Sequence, residues 1–217
     1  QEHEAERTLA QVSRRVSCGV ATGADSVFVH RTADLPRELE RFARPTISGR
    51  ELTLGRELCS AHSLLIPYSA RGQLLREEDL GALLGYLTYP SRFETLMRRT
   101  CTVRKPWYAF HESPPLIDLL RPKILCKDIG PRPAFVLDPI GAIVPRHSVY
   151  YIVPGDSTDI MALLNYLNSE AASGWLEKHC QRAANGFVRL QSSVLKRLPV
   201  PDGVLRPVVE ARRERSA

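Results

Sequence analysis

The order of its apolar segments constrains this chain more than any other feature. Strand-like runs and helical patterns follow one another without the regular alternation that a parallel sheet requires. HSLLIPY (62–68), KILC (123–126) and HSVYYIV (147–153) read as buried strands, with KILC central. VSCGV (16–20) and SVFVH (26–30) read as two more, joined through Gly23, and FVRLQ (187–191) as a short last one. PAFVL (133–137), DPIG and AIVP (142–145) predict a hairpin. Helical spacing appears at Leu35, Leu39 and Phe42 behind Pro36, and at Leu80, Leu83, Leu84 and Leu87 up to Pro90. A second helix follows, with Ser91 and Glu94 as a capping box, Phe93, Leu96 and Met97 inward, and Arg98 and Arg99 at its negative end. Ile160, Leu163, Leu164, Leu167, Ala171 and Trp175 predict one long helix, capped near Ser157 or Thr158 with Asp159 in its first turn.

The pattern predicts an α+β fold: mixed, curved β-sheets with flanking helices and long loops. Residues 1–15 are polar and read as a linker or frayed helix. Residues 16–202 form the domain, with two sub-lobes at about 16–110 and 111–202. Residues 203–217 read as a charged tail, solvated helix or disorder.

A chain of 217 residues can bury a sizeable core, and 43% apolar with 25% charged residues is ordinary globular composition. No apolar run approaches a transmembrane length, and the start carries no apolar signal region. The chain does not begin with Met, which points to a fragment or a processed product. Lys and Arg total 30 against 24 acids, a net charge of +6 that suits a polyanionic partner without demanding one. Five widely spaced cysteines with no CxxC pair fit scattered buried thiols in a reducing cytoplasm.

Catalytic signatures are missing. No GxGxxG or GxxxxGK[ST] loop, HExxH, CxxC or GxSxG is present. The six histidines are spread one per segment. Asp25, Asp128 and Asp138 are the carboxylates to weigh for a divalent metal, but each sits beside a turn where Asp is expected anyway.

Six segments, in order from about residue 16 to residue 202, resemble one family. GVATGADSVFV, PTISGREL, RKPWYAFHES, RPKILCKDIG with FVLDPIGAIVPRHSVYYIVP, LLNYLNSEAASGWLEKHC, and GFVRLQSSVLKRLPVP are similar to the target-recognition domain of adenine-specific DNA methyltransferases of the TaqI-like, Eco57I-like kind. ATGAD departs from many relatives in having no Asn after the second Gly. The resemblance implies a bacterial restriction-modification or phage-defence protein that recognises double-stranded DNA. It places S-adenosylmethionine and methyl transfer in a separate upstream domain. TYPS (88–91) is no substitute for that domain's Asn/Asp-Pro-Pro-Tyr/Phe motif. The resemblance therefore implies a non-catalytic recognition module with long recognition loops and no cofactor of its own. Its partners would be duplex DNA and a methyltransferase domain or subunit, with no membrane involved.

On that implication the polar residues fall into groups. Cations neutralise phosphates, Arg grips guanine, and Asn or Gln reads adenine edges. Arg104 and Lys105 stand directly against Trp107 and Tyr108 in TVRKPWYAFHESPP (102–115). The two aromatics could stack, wedge or anchor the loop; core packing is the competing reading. Arg44 and Arg50 lie in the Gly/Pro loop ARPTISGRELT (43–53), with Glu51 or Glu57 as rival partners. Lys127 and Arg132 flank a turn after KILC, and Arg146, His147 and Ser148 follow the expected hairpin. Arg182, Asn185, Arg189 and Gln191 form the densest polar set, although Asn185-Gly186 is also a turn signal. Two other functions compete: an interaction module that docks a methyltransferase or nuclease subunit through the Trp107 loop, and a metal-dependent nuclease.

Overall fold

A computed structural model describes residues 6–53, 58–183 and 185–205. The chain opens with β1 (Glu6–Thr8), a one-turn helix α1 (Leu9–Val12) and β2 (Ser13–Cys18). A helical turn α2 (Asp25–Phe28) leads into β3 (Val29–Arg31). A 3-10 turn over Arg37–Phe42 precedes β4 (Ala43–Ile47), and β5 (His62–Leu65) follows. Then come α3 (Ala82–Leu87), α4 (Pro90–Met97) and α5 (Leu116–Leu119). The next strands are β6 (Lys123–Lys127), β7 (Ile129–Gly130), β8 (Phe135–Asp138), β9 (Val144–Pro145) and β10 (Val149–Pro154). The chain continues through α6 (Ile160–Leu167), α7 (Glu170–His179), β11 (Gln181–Arg182), β12 (Val188–Arg189), α8 (Ser192–Lys196), β13 (Pro199–Pro201) and α9 (Asp202–Leu205).

The central sheet runs β2-β10-β6-β8, antiparallel throughout. Its strands are rich in Val, Ile, Leu and Tyr because both faces are covered. Side chains alternate along a strand. Leu125, Val149, Tyr151 and Val153 therefore enter one core, with Phe28, Leu64, Leu65 and Phe110. Val16, Ile124, Cys126, Phe135 and Ile152 enter the other, with Leu163, Leu167, Leu176 and Leu195. Burial pushes the Cys126 thiol up to about 12, whereas Cys18 and Cys59 are exposed rather than buried as expected. A second sheet, β3-β5-β4-β9, covers the first core and is antiparallel except for the parallel β4–β9 pair.

The α+β class stands, with mixed sheets and flanking helices, and several boundaries move. Residues 6–15 are no linker: β1 pairs with β13, α1 buries Leu9 and Val12, and β2 begins at Ser13. Residues 1–5 and the tail from 206 lie outside the described residues. The two cores are not halves of the sequence divided near residue 110, because the central sheet supplies both. SVFVH is half helical: the Thr22 hydroxyl donates to Asp25 and accepts from the Ala24 amide, which starts α2.

The expected hairpin does not close. β8 pairs with β6, while β9 leaves for the second sheet. The Ser91–Glu94 capping box is also absent. Pro90 starts α4 at its first position, and Glu94 pairs with Arg98 instead. The long helix is two. The Asn168 side chain donates to Phe135 O at 2.9 Å and accepts from Phe135 N at 3.0 Å. It thereby satisfies the open edge of β8, and Ser169 caps a new helix. The first of the two helices is capped by Asp159 itself, which accepts from Met161 N and Ala162 N.

Two ion pairs hold the frame. Lys123 (0% exposed) donates to Asp138 (2% exposed) at 2.6 Å inside the central sheet. Asp138 also accepts from Ala142 N and Ile143 N, which fixes the corner that takes the chain to β9. Gly141 makes that corner possible at φ +72, where an added Cβ would stand 2.5 Å from Leu120 O. Asp138 is thus a structural partner, and Asp25 accepts from the Thr22 hydroxyl. Among the described residues, no group of three or more His, Cys, Asp or Glu is placed to hold a metal. At the other edge of the sheet, Asp118 accepts from Arg14 and Arg15 of β2, each at 2.5 Å.

Removing one partner of the buried pair leaves a charge without compensation. Lys123→Ala is expected to lose about 3–5 kcal/mol in urea unfolding. For Asp118, burial pushes the carboxyl up, but the two guanidinium groups outweigh it and hold it below the usual 3.8. A carboxylate lowered in the folded state adds stability above its ordinary pKa and loses it as pH falls toward the folded value. The gap in unfolding midpoint between wild type and Asp118→Asn should therefore be full at neutral pH and shrink below about pH 4.

Candidate nucleic-acid interface

Four separate segments meet at one end of the central sheet, and backbone hydrogen bonds stitch them together in series. The parallel pairing of β4 with β9 brings Ile47 beside Pro145, and Arg146 N donates to Ile47 O at 2.9 Å. Gly49 N donates to the Ser148 hydroxyl at 3.0 Å. A Cβ on Gly49 would stand 2.9 Å from Ser148 O, so the two loops meet too closely for a side chain there. Asp128 N donates to Ser148 O, and Leu190 N donates to Asp128 O. β12 then pairs with β7, opposing Arg189 to Ile129, and β11 completes the small sheet.

Between these segments lies a groove of about 580 Å³, lined by Arg50, Lys127, Asp128, Arg146, His147 and Ser148, among others. Arg50 and His147 are exposed and Lys127 is half-buried. Among the described residues, none of these three has a carboxylate partner. Arg146 differs. Its Nη2 donates to Glu51 at 2.5 Å, and its side chain is 16% exposed. Glu51 also accepts from the Ser48 amide and hydroxyl at 2.8 and 2.7 Å and pairs with His62 Nδ1 at 2.6 Å. Burial pushes the Glu51 carboxyl up, but these donors outweigh it and hold it below the ordinary glutamate value.

The structure divides the residues singled out in the sequence. Arg50, Lys127, Arg146 and His147 share the groove, and Arg189 lies exposed on its flank. Gln191 is half-buried at the start of α8. Arg182 donates to Gly186 O and lies 3.5 Å from Glu177, while Asn185 accepts from Phe187 N inside its own turn. Arg132 is engaged by Glu170 and Glu177.

Arg44 sits on β4 rather than in a loop. It faces a different pocket with Arg41, Phe42 and Tyr68, so the Arg44–Arg50 pair is split. Glu51 takes Arg146 and His62 instead of Arg44 or Arg50, and Glu57 lies outside the described residues.

The 104–108 segment lies elsewhere, beyond α4. Arg104 is exposed and Lys105 donates to His111 O. Trp107 donates to Glu77 and packs edge-on against Phe93 and Tyr108. Tyr108 is 5% exposed with its hydroxyl on Leu75 O, so its ring has no face left for a base.

Sequence reasoning missed the structural roles of three residues. Ser48 and Glu51 have capping-box spacing, a signal present in SGRE. Arg99, read as a helix-dipole residue, donates to Leu96 O, Thr22 O and Trp107 O. It ties α4 to the ATGAD loop and to the tryptophan segment. No local pattern announces such a link.

A family model, the TaqI-like C-terminal specificity domain, matches residues 83–200, more than half of the chain. The chain belongs to this family. The match contains three of the groove's four segments; the Ser48–Glu51 loop lies before it.

Among curated relatives, the specificity domain is 27% identical to the type II methyltransferase M.PaeR7I of Pseudomonas aeruginosa over 195 residues, covering 89% of this chain and 33% of that protein. It is 26% identical to M.BstVI of Geobacillus stearothermophilus, over 88% of this chain and 33% of the relative. It is 27% identical to M.XhoI of Xanthomonas vasicola, over 95% and 38%. The chain thus spans about a third of the length of these relatives.

The fold is shared with the type IIL restriction-modification enzyme MmeI, solved in complex with DNA. The TM-score is 0.57 at 13% identity, over 90% of this chain and 25% of that one. It is shared also with the type IIG restriction endonuclease BpuSI, with a TM-score of 0.55 at 14% identity, over 95% and 25%. Among the described residues, no helix is long and apolar enough to cross a membrane.

Because the Tyr108 hydroxyl serves packing, Tyr108→Phe is expected to cost about 1 kcal/mol in unfolding by orphaning Leu75 O. Any DNA affinity of the domain, read by fluorescence anisotropy, should stay unchanged.

Proposed function

We propose that this specificity domain recognises duplex DNA on behalf of an adenine-specific DNA methyltransferase of a restriction-modification system. One observation carries the reading. Arg50, Lys127 and His147 converge on a groove from separate segments with no carboxylate partner among the described residues. Asp128 also lines the groove but pairs with none of the three, and basic side chains left without an ionic partner suit an anionic backbone. Arg189 extends the positive edge along the β11–β12 hairpin.

Family membership and the type II methyltransferases among the relatives support this reading. Methyl transfer, S-adenosylmethionine and extrusion of the target adenine then belong to a separate catalytic domain, in the cytoplasm of a bacterial cell. This domain is assigned no chemical step.

A second reading has its own observation. Tyr89, which precedes α4, and Phe93 and Met97 on it are exposed at four-residue steps, the last two not turned inward as their spacing predicts, with exposed Val103 beyond. Such a stripe fits contact with the methyltransferase domain, at a different place from the groove. Trp107 would support it from beneath through Phe93.

The test of the first reading is a fluorescence-anisotropy titration with a randomised duplex pool across salt concentrations. Binding should weaken steeply with salt. Replacing Arg50, Lys127 and Arg189 together by Ala should flatten the log–log slope by about 2–3, at roughly 0.9 for each phosphate left unneutralised. No binding at low salt by a folded sample, or an unchanged slope in the variant, would refute it.

A further inference from the structure

The groove holds two kinds of basic side chain. Arg50, His147 and, on the flank, Arg189 are exposed and without ionic partners among the described residues. Arg146 is held in one place. Glu51 grips its Nη2, and Glu51 is itself fixed by the Ser48 amide and hydroxyl and by His62. His62 stands on β5 and Ser48 follows β4, so adjoining elements of the second sheet assemble this support behind one arginine.

The Nε–H of Arg146 is buried and has no hydrogen-bond partner among the described residues. A guanidinium placed to satisfy itself would not leave that donor orphaned. Its orientation is imposed from outside, by the carboxylate. With one Nη2 hydrogen on Glu51 and Nε enclosed, the remaining donors are the end-on pair of Nη1 and Nη2. That pair matches two acceptors side by side, as on the major-groove edge of guanine at O6 and N7. Phosphate contacts tolerate mobile cations, whereas base readout needs donors fixed in advance.

We propose that Arg146 is the guanine-reading residue of this groove and that Glu51, with Ser48 and His62, is its positioning group. The inference rests on the DNA-recognition reading and adds to it a specific residue, a specific base and a supporting carboxylate. Arg50 and Arg189 then contribute affinity without sequence preference.

The test uses the whole chain. Wild type is first put through selection from the randomised duplex pool, and the enriched motif is read. Arg146→Lys and Glu51→Gln are then selected in parallel, with Arg50→Ala as the control and thermal unfolding followed for each. Both variants should lose enrichment of guanine at one position. Affinity for the selected duplex should fall about 5- to 150-fold, the range for one bidentate base contact. Affinity for an unrelated duplex, and the salt slope on it, should stay within about twofold. Arg50→Ala should weaken all duplexes alike and keep the motif. Glu51→Gln retains the side chain's size, so the proposal does not depend on Arg146→Lys folding.

The same guanine enriched by both variants overturns the inference. So does a uniform loss on every duplex, which assigns the pair a purely structural role. Binding by wild type without any enrichment also overturns it while leaving the DNA-recognition reading in place. Absence of wild-type binding removes that reading itself.

Discussion

The buried pair of Lys123 and Asp138 is the constraint on which the rest of the molecule depends. Taking both charges out of water is costly, and close contact alone offsets that cost poorly. The pair persists because Asp138 also holds the amides of Ala142 and Ile143. Those bonds set the corner at which the chain leaves the central sheet and enters the second one. Everything beyond the corner follows from it: the parallel pairing of β9 with β4, the arrival of Arg146 beside Ile47, and the return along β10. An apolar pair of similar volume could fill the space between the strands. It could not accept the two amides.

The central sheet explains why the groove is where it is. Both faces are committed to cores, so the sheet can present function only at its ends. At one end the loops after β4, β6 and β9 and the β11–β12 hairpin are hydrogen-bonded to one another in sequence. A site made this way is rigid in backbone and varied in side chains. Cations with long free stems and one arginine braced by a carboxylate then occupy the same wall, with different freedom.

Legibility in the sequence followed the reach of the interactions involved. β6 and β10 were readable because two-sided burial leaves a continuous apolar run, which single-chain pattern reading detects. The split between α6 and α7 was not, since the apolar spacing runs through it. The break comes from Asn168 reaching across to the edge of β8. Residues 6–15 looked like a linker because strand β1 gains its place by pairing with a segment almost two hundred residues away. The groove was half legible. Arg50, Lys127, Arg146 and His147 were each visible as polar donors beside turns, but their convergence depends on the unexpected β4–β9 pairing. Trp107 and Tyr108 misled for the opposite reason. Fixed charges next to them suggested a surface, yet the rings are packed against neighbours, and of the two cations only Arg104 is fully outside.

The pairing of β1 with β13 also dictates an order of events during synthesis. Glu6 faces Pro201, Leu9 N donates to Leu198 O, and Arg7 meets Asp202. Leu9, Val12 and Val16 complete the same core as Leu195, Leu198 and Val200. Contacts of such separation are entropically late, because the whole intervening loop must close first. As the ribosome extends the chain, the core around Phe28 and Phe110 can assemble from residues already released. The other core must wait, with its leucines uncovered, until the segment carrying β13 has cleared the exit tunnel. A pause in translation within the last stretch of this domain would therefore hold it half-closed, with one greasy face of its central sheet available to chaperones.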